Sequence, residues 1–106
     1  MEDEKIKIII KSIIDENDYI DNNKKQYFNE IIFEIIKKII ELPNGKETTI
    51  AELINYNPEG EFVEPLIQGE INYFVKEICH KINVNYTNTD DSIGGLAFYI
   101  KFKKGE

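Results

Sequence analysis

A chain of 106 residues with a net charge of −7 and a single cysteine is the size of one ordinary domain and can hold no intramolecular disulfide. Its 20 acidic side chains outnumber the 13 cationic ones, giving a mean field that repels phosphate polymers and anionic membrane surfaces. No apolar run approaches the roughly 18 residues of a membrane span, and the opening Met1-Glu2-Asp3-Glu4 is acidic where a signal peptide is basic, so a cytoplasmic protein is expected.

Taken in chain order, Ile6, Ile9, Ile10, Ile13 and Ile14 recur at i, i+3, i+4, i+7 and i+8, which predicts a short amphipathic helix. Ile8 stands off that face and offers a dimer contact. Residues 17–23 are rich in Asn and Asp and predict a turn. A second helix follows from Lys24 to Glu41, with Phe28, Ile31, Ile32, Ile35, Ile36 and Ile39 on its apolar face and Pro43 beyond its end. Leu42-Pro43-Asn44-Gly45-Lys46 reads as a turn, and Thr49-Ile50-Ala51-Glu52 as a capping box opening a short helix to about Tyr56. Asn57-Pro58-Glu59-Gly60 breaks that helix.

Pro65 suits a first helical turn. Ile67, Ile71, Phe74, Val75, Ile78 and Ile82 then share one face of a helix ending near Asn83, with Gly69 weakening its start. From Val84 the period shortens to two: Val84 and Tyr86, then Leu96, Phe98, Ile100 and Phe102, alternate with their neighbours around a turn-rich stretch at 88–95. The expected class is α+β, mostly helical and winged-helix-like, with a C-terminal β-hairpin. One domain spans 1–106, residues 1–41 supplying N-terminal helices and 42–106 the winged-helix-like part. In it Glu47-Thr48-Thr49 is a minimal first strand and the hairpin is the wing. A helical bundle with a peripheral hairpin is the competing arrangement.

The stretch Leu42-Pro43-Asn44-Gly45 leading into Thr49-Ile50-Ala51-Glu52-Leu53, with Gly69, Phe74, Val75 and Tyr99 downstream, resembles a short bacterial family known as domain of unknown function 1413. The resemblance covers residues 42–103 and implies no activity.

Few residues invite chemistry. Cys79 and His80 are adjacent, so on a helix they point about 100° apart and cannot share one metal ion or form a nucleophile–base pair. The expectation is a core-bordering cysteine and a solvated histidine. Ser92-Ile93-Gly94-Gly95 lacks the strand–nucleophile–helix setting of a hydrolase elbow and is too short for a phosphate loop. Asn88, Thr89, Asp90 and Asp91 lack the spacing of a calcium loop. A non-enzyme without metal or cofactor is expected.

Three functions remain. A protein-interaction module needs no basic face and ranks first, with a protein as partner. A DNA-binding regulator ranks second, because a winged helix sets its third helix in the major groove. Its outward positions here read as Gln68, Asn72, Tyr73, Lys76, His80 and Lys81, and Gln and Asn can read adenine. Asp90 and Asp91 at the wing, with Glu59, Glu61 and Glu64 before the helix, disfavour nucleic acid. An acidic phage or mobile-element mimic of nucleic acid ranks third. The residues expected to meet a partner are Gln68, Asn72, Lys76, Asp90 and Asp91.

Overall fold

A computed structural model describes residues 2–18, 20–90 and 96–105. Helix α1 (Asp3–Asp15) buries Ile6, Ile10, Ile13 and Ile14, as their spacing requires. Its acidic first turn faces the positive end of the helix dipole, and Asp3 accepts a 2.8 Å bond from Lys37 Nζ. That ammonium holds the Asp3 carboxyl below the usual range. Helix α2 (Asn22–Glu41) begins two residues ahead of Lys24 and buries Phe28, Ile32, Ile35, Ile36 and Ile39. It stops at Leu42, which is extended because the ring of Pro43 disfavours helical backbone before it. The orphaned carbonyls of its last turn are met from the far end of the chain: Lys104 Nζ donates to Ile40 O and Leu42 O, both at 2.7 Å.

Strand β1 is Glu47–Thr48, and α3 is a single turn, Ile50–Leu53. One half of the capping box forms, since Glu52 N–H donates to Thr49 Oγ1 at 3.1 Å. The other half is diverted, because the Glu52 carboxylate accepts from the Thr48 hydroxyl at 2.9 Å. Helix α3 stops short of Tyr56 because Asn55 turns left-handed at φ 50°. Tyr56 N–H then bonds Ala51 O and Asn55 N–H bonds Glu52 O, the paired bonds of a Schellman ending. Helix α4 (Pro65–Lys81) starts at Pro65 despite Gly69, and it ends in the same way. Asn83 has φ 59°, with Val84 N–H on Cys79 O and Asn83 N–H on His80 O.

Strands β2 (Tyr86–Asp90) and β3 (Lys101–Lys104) pair antiparallel, and β1 joins the other edge of β3, giving the order β1-β3-β2. Asn88 and Thr48 both stand opposite Phe102. From α2 onward, the succession helix, strand, two helices, two strands and this sheet order make an α+β, mostly helical, winged-helix-like fold, with α1 as an N-terminal addition. The last strand differs from the expected one. Leu96–Ile100 does not alternate as a strand; Ala97–Tyr99 forms a 3-10 turn, and β3 begins only at Lys101. At this turn Phe98 N–H donates to Gln68 Oε1, 30 residues away, at 3.2 Å, so its partner is an amide and not a neighbouring strand.

One hydrophobic cluster runs from Ile6 through Phe28, Phe74 and Phe98 to Phe102, joining residues 1–41 to 42–106. Phe28 meets Phe74 edge to face at 6.4 Å, and Tyr56 meets Phe98 at 5.2 Å. The core positions expected of Ile35, Phe74, Ile78 and Phe98 are all fully buried. Among the described residues no helix is long and apolar enough to cross a membrane.

Candidate functional site

Of the five residues expected to meet a partner, Gln68 is not on the surface at all. Gln68 is the clearest correction. It is 1% exposed, donates from Nε2 to Val63 O at 2.7 Å and accepts from Phe98 N–H. It belongs to the inner stripe of α4, three residues before Ile71 and seven before Val75. Its amide bridges two backbone groups that burial would otherwise leave unpaired. Asn72 is half-buried and Lys76 is exposed, four residues apart on the same side of α4. Lys76 shares a hollow of about 440 Å³ with His80 and Asn88, between α4 and β2. Asp90 closes β2, and Asp91 lies outside the described residues, as do Ser92, Ile93, Gly94 and Gly95 of the expected wing tip.

Cys79 is buried and His80 exposed. Burial pushes the Cys79 thiol up to about 12, which removes the thiolate needed for nucleophilic chemistry near neutral pH. Among the described residues no three His, Cys, Asp or Glu side chains gather as a metal site requires. The Tyr86 hydroxyl is buried without a partner among the described residues, and burial drives its pKa well above the usual phenol value.

The surface that stands out is apolar. Leu66 is 75% exposed, Phe62 63%, Tyr73 61% and Leu96 37%. Isolated apolar residues on a surface are ordinary, but two pairs here share a place. Phe62 and Leu96 line one hollow of about 280 Å³ with Tyr56, Pro58, Gln68 and Tyr99. Leu66 and Tyr73 lie seven residues apart on the outer stripe of α4. Gly69 falls between them, and a Cβ there would meet nothing within 4 Å.

The exposure of Phe62 follows from how its neighbour is held. Val63 N–H donates to the Tyr56 hydroxyl at 2.8 Å, and its carbonyl accepts from Gln68. Both backbone groups of Val63 are thus tied inward, its side chain is buried, and the adjacent Phe62 faces out. Upstream, Glu59 N–H bonds Asn57 Oδ1 at 3.1 Å, while Gly60 and Glu61 N–H bond Asn57 O, a turn typical of Asn. The loop is braced at several points, and Glu59, Glu61 and Glu64 project from it, exposed, around Phe62. Outward periodicity on α4 marked Tyr73. The same count taken two turns earlier reaches Leu66, whereas Phe62 and Leu96 carry no periodic signal.

Comparison of the chain with protein-family models, with curated proteins and with solved structures returned no match.

Proposed function

We propose that this chain is a non-enzymatic protein-interaction module built on a winged-helix-like frame. The observation that carries the reading is the exposure of Phe62, Leu66 and Tyr73 on the loop and helix that a DNA-binding winged helix would set against the duplex. Affinity for DNA comes largely from cations that neutralise phosphates. Helix α4 has no basic residue before Lys76, and the loop in front of it carries Glu59, Glu61 and Glu64. Large apolar and aromatic side chains ringed by charge are what protein interfaces are made of. The free, buried Cys79 suits a reducing, cytoplasmic setting.

The alternative, a DNA-binding regulator, draws mainly on topology, and topology does not fix function. Fluorescence anisotropy on random duplexes across a salt series separates the two. At about 0.15 M salt no binding is expected in the range of roughly 10⁻⁴ to 10⁻⁶ M that DNA-binding proteins show for non-specific sites. Micromolar binding that weakens steeply with salt, and disappears in the Lys76→Ala/Lys81→Ala protein, would overturn the interaction reading.

A further inference from the structure

The outward side of α2 meets the braced loop in a cleft. Tyr27, Glu30, Ile31 and Glu34 follow one another at i, i+3, i+4 and i+7, and they form one wall of a hollow of about 390 Å³. Tyr56 and Glu61 stand on the other wall. A second hollow of about 290 Å³ shares Tyr27, Glu61 and Val63 with the first and reaches Phe62 and Glu64. Lys24 is the only cation among the described residues lining either hollow. Glu34 is paired with Lys38 at 3.2 Å, and among the described residues Glu30 accepts only a neutral amide bond from Gln26. Glu61 has no ion pair among the described residues. Burial, and after it the Glu61 carboxylate, raises the pKa of the Tyr27 hydroxyl, consistent with a negative field reaching into the cleft.

We propose that this cleft docks a basic segment of a partner protein, an arginine or lysine entering between Tyr27, Glu30, Tyr56 and Glu61 while an apolar neighbour packs on Phe62. The inference rests on the interaction reading and specifies the partner's chemistry. Carboxylates with two tyrosine rings hold a cation both by charge and through the aromatic faces. An apolar anchor beside them supplies the desolvated contact that dominates interface energy. The Tyr56–Val63 and Gln68–Val63 bonds hold the loop wall in place before binding, which lowers the ordering cost of association. The occupant is therefore a protein segment with cations and large apolar residues interleaved.

The test is fluorescence anisotropy of the full chain with a labelled synthetic peptide carrying arginine and leucine at helical spacing. Alongside it run one peptide with glutamine for every arginine and one with serine for every leucine. The arginine–leucine peptide binds, and the two controls bind much more weakly. Glu30→Gln/Glu61→Gln lowers the affinity about tenfold, as expected for two ion pairs partly removed from water, and Phe62→Ser lowers it as well. Glu16→Gln/Glu47→Gln removes the same charge away from the cleft and leaves affinity unchanged. Circular dichroism verifies that each variant is folded.

Equal losses in the two double variants would mean that overall acidity alone attracts the peptide, and the proposal falls. It also falls if no peptide binds. If binding is lost in Leu66→Ser/Tyr73→Ser but kept in the cleft variant, the cleft is the wrong site while the interaction reading stands. That reading fails on the duplex assay, which the peptide result does not enter.

Discussion

Residues 62–74 present two faces, and they invert the usual partition. The inner face holds Val63, Ile71 and Phe74, yet also a glutamine, Gln68, at 1% exposure; the outer face holds Phe62, Leu66 and Tyr73, all more than half exposed. The buried polar residue is accounted for from within, because its amide satisfies Val63 O and Phe98 N–H. The apolar residues outside remain exposed. The contrast teaches that exposure at Phe62 is not looseness. Both backbone groups of the adjacent Val63 are bonded to side chains, and those bonds fix Val63 inward and turn Phe62 outward.

The largest effect is expected deep on the inner face. Phe74 is 1% exposed and meets both Phe28 and Tyr73 edge-on. Phe74→Ala should cost about 3–5 kcal/mol of unfolding free energy through lost transfer energy and a cavity. Urea denaturation measures it, and an unchanged midpoint would show that the inner stripe of α4 has been misplaced.

Gln68→Ala should come next, at about 1–3 kcal/mol, since it leaves the Val63 carbonyl and the Phe98 amide unpaired in a dry setting. It also bears on the outer face, because Val63 loses one of its two ties. Hydrogen exchange should show faster exchange at the Phe98 amide before any global loss of protection. Unaltered exchange there would mean that the 3-10 turn at Ala97–Tyr99 is held by packing of Phe98 and Tyr99 alone.

The sequence made the local devices legible and hid the distant ones. Apolar spacing predicted α1, α2 and α4, Thr49 showed as a cap and Pro65 as a first-turn residue, because each signal lies within one or two turns of chain. The 3-10 turn was hidden: Leu96, Phe98, Ile100 and Phe102 alternate as a strand should, whereas Phe98 N–H donates to Gln68 Oε1, 30 residues away, instead of to a strand. Gln68 is expected from sequence among the outward positions of α4, where a glutamine can read adenine. Its place in the series Gln68, Ile71, Val75, Ile78 carried the right answer, and periodicity outweighs polarity when the backbone needs a partner. The acidic cleft needed a fold to bring Glu61 opposite Glu30. Its half on α2, Tyr27-Glu30-Glu34, had a periodic signature masked by the near-neutral charge of that helix.

The smallest stability effect, and the sharpest test of the contrast, is expected on the outer face. Full burial of a leucine or phenylalanine side chain contributes about 1.5–3 kcal/mol relative to exposure, and a side chain left mostly in water contributes little of that. Phe62→Ser and Leu66→Ser should therefore each shift the unfolding free energy by no more than about 0.5 kcal/mol. For Leu66, the few tenths expected from the poorer helix propensity of serine fall within that range. Urea unfolding beside the peptide assay reads stability and binding on the same samples. Unchanged midpoints with weakened peptide binding would assign Phe62 and Leu66 to recognition. A loss above about 1.5 kcal/mol for either one, on the scale of true burial, would return that residue to the core and remove it from the site.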